Sequence, residues 1–163
     1  AALLMKKHKD IRFVIFGNGS EEENLKKIVD EKNLDNVFMY PLQAVERVSE
    51  VYSMADVSII SCTPGTGGSG MPSKTWTIMA AGVPIIASFD IPSEMKRTIE
   101  SAECGYCVNS GDVKALAGTI EKLSKNSMET ARMAKNARIY AEKCVSKDTA
   151  IAAYIAAISK IIV

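Results

Sequence analysis

The densest chemistry in this chain lies in Gly65-Thr66-Gly67-Gly68-Ser69-Gly70-Met71-Pro72-Ser73-Lys74. Four glycines in six residues leave backbone N–H groups unshielded, so an anion can approach them closely. The stretch runs into a helix-like segment that ends at Gly82. A helix start adds a partial positive charge, and Lys74 adds a full one. Val57-Ser58-Ile59-Ile60 reads as a strand before the loop, and Pro84-Ile85-Ile86-Ala87 as a strand after the helix. Such a unit suits a diphosphate. Gly67, Gly68 and Gly70 would form a nest of amides. Ser73 would cap the helix and also reach phosphate. The plain alternative is a ligand-free surface loop with a solvated lysine.

Other residues invite chemistry less strongly. Gly17-Asn18-Gly19 follows the β-rich run Ile11–Phe16 and would let backbone approach a ligand. A lone G-x-G also makes an ordinary strand-to-helix turn. Cys104-Gly105-Tyr106-Cys107 has redox spacing, but a reactive pair sits at a helix N-terminus. Here the run continues into Val108 and the turn Asn109-Ser110-Gly111-Asp112, so the thiols read as structural members of a strand. A zinc site would need two more ligands, and the single histidine, His8, is far away in sequence. Asp90 follows a strand and Glu94 opens a helix, where a carboxylate is favourable without any function. Trp76 and Met79 read as core.

Strand and helix signals alternate around these residues. Ser20 and Glu23 have capping-box spacing before a helix with the stripe Leu25, Ile28, Val29. Asn36–Tyr40 reads as a strand stopped by Pro41. Val45, Val48, Val51, Tyr52 and Ala55 recur at helical spacing. Ser93 caps a short helix, Gly105–Val108 is a last strand, and Asp112 caps the next helix. Two further helices are predicted at about 127–144 and 147–162. The pattern predicts an α/β, Rossmann-like, doubly wound parallel sheet with right-handed crossovers, as one domain over 1–163. Ligands in such sheets bind beyond the carboxyl ends of the strands. Gly17–Gly19, Pro41-Leu42-Gln43, the 61–72 loop and Ser88-Phe89-Asp90 should therefore line one edge.

Bulk properties narrow the function. The 163 residues suffice for one domain with a real core. A net charge of +1, from 20 basic and 19 acidic residues, argues against a nucleic-acid binder. No apolar run reaches the roughly 18 residues of a spanning helix. Ala1-Ala2-Leu3-Leu4-Met5-Lys6-Lys7-His8-Lys9 reads like the end of a helix, which suggests a fragment lacking its upstream part.

Met71-Pro72-Ser73-Lys74 followed by Met79-Ala80-Ala81-Gly82-Val83-Pro84-Ile85-Ile86-Ala87-Ser88 resembles the donor-binding core of retaining GT-B glycosyltransferases, family 4 (glycosyl transferases group 1). The bacterial surface-polysaccharide members with a Pro-Ser-Lys loop are the nearest in pattern. Val14–Gly19, Tyr52–Val57, Cys104–Val108 and Gly111-Asp112 agree in order and spacing, so the resemblance covers nearly the whole chain. It implies the C-terminal half of a GT-B fold, with the N-terminal acceptor domain missing and the chain inactive alone. It implies a nucleotide-diphosphate-sugar donor, UDP- or GDP-linked, and a polysaccharide or lipid-linked acceptor, with no cofactor. It assigns donor binding to Gly17, Asn18, Gly19, Pro41, Leu42, Gly68, Ser69, Gly70, Met71, Pro72, Ser73, Lys74 and Thr77. It leaves the catalytic residues unassigned. The absence of any Asp-x-Asp triplet agrees with the metal-independent character of this family. The family's two glutamates, with seven residues between them, fall at Ser69 and Thr77 here, and neither can ionise as a carboxylate. The resemblance also implies a cytoplasmic protein, with the inner face of the cell membrane as the alternative. The tail helix, with Ile151, Tyr154, Ile155, Ile158, Ile161 and Ile162, is apolar on more than one face. The family reading packs it against the missing domain; a membrane-surface helix would want a basic face. Two other readings stay open. One is a Rossmann-like scaffold or partner-binding module without donor binding. The other is a different nucleotide-sugar enzyme, such as an epimerase.

Overall fold

A computed structural model describes residues 1–68 and 70–161. Among the described residues, five strands and seven α-helices alternate along most of the length. The strands are β1 (Phe13–Phe16), β2 (Val37–Tyr40), β3 (Ser58–Ser61), β4 (Ile85–Phe89) and β5 (Gly105–Asn109). Between them run α1 (Glu22–Glu31), α2 (Val48–Ser53), α3 (Lys74–Ala80) and α4 (Glu94–Ala102). After them come α5 (Val113–Ser124), α6 (Ser127–Cys144) and α7 (Lys147–Ser159).

Every strand pair is parallel, as the alternation predicts. The expected single sheet is divided in two: β1 pairs with β2, and β3-β4-β5 form the other sheet. The difference lies in burial. Strand β4 is buried along its whole length, whereas Val14 and Ile15 of β1 are exposed. A strand covered on both faces holds its neighbours by packing as well as hydrogen bonds; β1 lacks that cover. Helix α5 spans the two parts. Ala117 and Ile120 meet Met5, Ile11 and Phe13, while Leu116, Ile120 and Leu123 meet Ile86, Tyr106 and Val57.

The main core is built by β3, β4, α3, α4 and α6. Ile78, Met79, Ile85, Met95, Ile99 and Cys104 are all but inaccessible there. Met79 is core, as its spacing predicts, and Trp76 packs against it. Gly105 is required by the sheet, because a Cβ at that position would overlap the Ile85 carbonyl of the paired strand.

Several local expectations are corrected. Ser20 and Glu23 make no capping box. Helix α1 begins at Glu22, whose N–H bonds to the Gly19 carbonyl, and no side chain caps it. Its stripe is not a core face, since Leu25 and Ile28 stay exposed. The helix expected around Val45–Ala55 is a 3₁₀ turn, Val45–Arg47, followed by the short α2, with Arg47 out of helical geometry at the join. Strand β4 runs on to Phe89, so Ser88 and Phe89 are buried strand residues rather than edge loop. The caps expected at Ser93 and Asp112 are present, accepting from the N–H groups of Lys96 and Ala115. Ile162, expected within the tail helix, lies outside the described residues.

Candidate functional site

The glycine-rich loop leaves the carboxyl end of β3 and enters α3. The order β3-β4-β5 sets three strand ends side by side, so residues that follow each strand become neighbours. Phe89 is in register with Asn109, which makes Asp90 and Ser110 adjacent. The Ser110 N–H donates to the Phe89 carbonyl at 3.1 Å. The Asp90 carboxylate then accepts the Gly65 N–H at 3.1 Å, the Gly67 N–H at 2.8 Å and the Ser110 hydroxyl. Those three donors hold the Asp90 carboxyl below its ordinary pKa, the Ser110 hydroxyl first, then the amides of Gly67 and Gly65. The amide of Gly67 is therefore taken from within the protein, which removes Gly67 from the expected nest. Gly67 is buried against Cys62 and Phe89, and a Cβ there would lie 2.8 Å from the Cys62 sulfur.

The second half of the loop is different. Gly68 and Gly70 are exposed and open, with nothing within 4 Å of where a side chain would begin. Met71 and Pro72 are half-buried, and Met71 packs on the core. Ser73 is not a side-chain cap. Its backbone is already helical, with φ −57 and ψ −30, so its hydroxyl does not take the extended geometry from which a cap reaches inward. The turn closes through backbone instead, the Thr75 N–H on the Pro72 carbonyl and the Trp76 N–H on the Ser73 carbonyl. Ser73, Lys74 and Thr77 are all exposed. Lys74 and Thr77, three residues apart, share a face of α3. Among the described residues Lys74 has no ion pair. Thr75 and Ile78 turn inward and hold the helix to the core. Ser69 lies outside the described residues.

Gly17, Asn18, Gly19, Pro41 and Leu42 gather at the carboxyl end of the other sheet. The Gly17 N–H bonds to the Tyr40 carbonyl at 3.1 Å, which joins the two turns. The backbone at Gly17 is at φ 156, which a side chain would strain, although nothing lies within 4 Å of where a Cβ would begin. A cleft of about 280 Å³ lies between Gly17, Glu22, Lys26, Met39, Tyr40 and Pro41. The rings of Phe16 and Tyr40, the paired last residues of β1 and β2, stack with centroids 5.4 Å apart. A larger open concavity of about 630 Å³ lies away from all these residues, against Leu3, Leu4, Lys6, Lys7 and Lys9. Each described member of the expected site thus follows a strand or lies in α3. The turns form two groups, and no hydrogen bond among the described residues links them.

Sequence reasoning did not assign the roles of Asp90 and Ser110 or the Phe16–Tyr40 stack. The signal for the first was strand order: two polar residues just past adjacent parallel strands must meet. The cysteines behave as read. Cys104 is buried, its thiol pushed up to about 11 by burial, and burial also raises Cys107. Among the described residues no group of three or more His, Cys, Asp or Glu is placed to hold a metal ion. No described helix is long and apolar enough to cross a membrane.

Parallel strands alternating with helices, with the candidate loops at the strands' carboxyl ends, define a Rossmann-like domain. Residues 1–140 match the profile of the glycosyl transferases group 1 family, and the chain belongs to that family. It is 26% identical over 140 residues to an uncharacterised glycosyltransferase of Haemophilus influenzae, a match covering 86% of this chain and 38% of that protein. It is 27% identical over 139 residues to the poly(ribitol-phosphate) alpha-N-acetylglucosaminyltransferase of Staphylococcus aureus, covering 85% of this chain and 27% of that one. The fold is similar to that of Anabaena HepE, solved in complex with UDP. The TM-score is 0.78 at 17% identity, over 97% of this chain and 43% of that one. The chain spans about a third of the length of the curated relatives it matches. The solved neighbours are GT-B glycosyltransferases, so the Rossmann-like fold expected from sequence is the fold found.

Proposed function

We propose that this chain is the donor-binding domain of a retaining glycosyltransferase that adds sugar to a bacterial surface polysaccharide or a lipid-linked acceptor. The observation that carries the reading is the open half of the glycine loop, with Gly68 and Gly70 unobstructed ahead of the exposed Lys74 of α3. Backbone amides there can reach a diphosphate without steric cost, and the Lys74 ammonium can offset charge on a departing nucleotide. Family membership and a UDP-bound protein of the same fold support a nucleoside diphosphate as the ligand. Gly17–Gly19 and Pro41-Leu42 would meet the base and sugar side of the donor.

The acceptor, and the groups that complete the active site, would come from an N-terminal domain outside this chain, since the relatives are about three times as long. The exposed apolar helix α7 would pack on that domain. The donor would be held without a metal ion or cofactor. The protein would work in the cytoplasm or at the inner face of the membrane, where a nucleotide sugar and a lipid-linked acceptor meet.

Titration calorimetry with UDP, GDP and their sugars tests the reading. Saturable binding of one of them, weakened by Lys74→Ala, is the expected result; no heat with any of them sinks it. A second reading is favoured by Thr77, which puts a hydroxyl where the family pattern has a glutamate. A single hydroxyl cannot grip a ribose diol through two oxygens as a carboxylate can. On that reading the domain is a scaffold, and nucleotide binding emerges only in a Ser69→Glu, Thr77→Glu double variant.

A further inference from the structure

The glycine loop divides at Gly67 into a tethered half and an open half. The tether is one side chain. Asp90 lies immediately past β4, the middle strand of its sheet, and its Oδ1 and Oδ2 take the amides of Gly65 and Gly67. Ser110, immediately past β5, donates its hydroxyl to Oδ1. A single carboxylate therefore joins the loop after β3 to the ends of β4 and β5. No charged neighbour contributes to its lowered pKa; two amides and a hydroxyl do. Gly67 is pressed between Cys62 and Phe89, so the anchored half cannot shift without moving the core edge. Past Gly67 the backbone is free of such contacts at Gly68 and Gly70.

We propose that Asp90 is a positioning residue for the donor site: its carboxylate fixes residues 65–67 so that Gly68 and the segment from Gly70 to Lys74 meet the diphosphate in one geometry. The inference rests on the donor-binding reading. It also sets where ligand contact begins. The amides of Gly65 and Gly67 are occupied, so the diphosphate is met from Gly68 onward. Without the anchor the ligand would have to order the whole loop, and the entropy of that ordering would be lost from its affinity.

The test is UDP titration by calorimetry with the unaltered chain, Asp90→Asn, Asp90→Ala and Ser110→Ala. In parallel, NMR follows the amide shifts of Gly65 and Gly67 down through the carboxylate range. Asp90→Ala should weaken UDP binding about tenfold. Asp90→Asn should fall between, because its one remaining carbonyl oxygen still accepts a hydrogen bond. The two glycine amides should shift together as acid protonates Asp90, below the ordinary aspartate range, and should lose that response in Asp90→Asn. A residue of merely structural importance would not make the two amides and the affinity move together. If Asp90→Ala does not fold, Ser110→Ala decides, with weaker UDP binding and a higher pH for the amide response expected. Equal UDP affinity in the unaltered chain and the folded variants overturns the positioning role and leaves the donor-binding reading standing. Glycine amides that do not respond to acid overturn the anchor itself. An unaltered chain that binds neither UDP nor GDP overturns the donor-binding reading and this role with it.

Discussion

At the scale of single residues, position and partner decide what a side chain can do. Lys74 is exposed at the start of α3 and has no ion pair among the described residues, so its charge is available to a ligand. On the donor-binding reading, Lys74→Ala should weaken UDP binding about tenfold, as expected for one charge-assisted contact to phosphate. Its melting temperature should barely change, because an exposed lysine contributes little to folding. Calorimetry and a thermal melt separate the two effects. The cysteines make a second case. Cys144 is exposed, whereas Cys104 is buried with its thiol pushed up to about 11. Only the thiolate attacks an alkylating reagent, so Cys144 should label first and Cys104 last under native conditions. Mass spectrometry after brief iodoacetamide treatment gives the order; early labelling at Cys104 would show that β5 opens readily.

At the scale of elements, two glycines have opposite predicted effects. Gly105 begins β5 with no room for a Cβ against the Ile85 carbonyl. Gly105→Ala should destabilise by about 3 kcal/mol or more, because the strand must move out of its pairing. Gly118 lies within α5, exposed, with nothing within 4 Å of a built Cβ. Gly118→Ala should stabilise by up to about 1 kcal/mol through helix propensity. Urea melts of the two variants should therefore shift in opposite directions. Sequence made the elements around these glycines legible, because Ile85-Ile86-Ala87 is an apolar run and Ser93 and Asp112 are strong cap types. It misled where a local pattern competed with backbone geometry. Ser73 is a favoured cap type, yet Pro72 and the loop deliver it already helical. The site was legible as a stretch of loop, but not as a set of contacts. Asp90 and Ser110 are twenty residues apart in sequence, and only the pairing of β4 with β5 brings them together.

At the scale of the whole molecule, the apolar surface is unevenly placed. The main core under β4 is closed, but α7 buries none of its residues. Tyr154 is 73% exposed, Ile155 60% and Ile158 53%, on a helix whose charged residues are confined to Lys147 and Asp148 at its start. Such a patch drives association in water unless another surface covers it. The proposed cover is the domain that the relatives have and this chain does not span. The chain alone should therefore self-associate with rising concentration in sedimentation velocity runs. An Ile155→Lys, Ile158→Glu double variant should sediment as a monomer. Its melting temperature should stay close to that of the unaltered chain, because neither side chain is buried in the core. A double variant that melts much lower would mean that these isoleucines pack within the chain itself. An unaltered chain that remains monomeric at high concentration would remove the case that α7 is an interface.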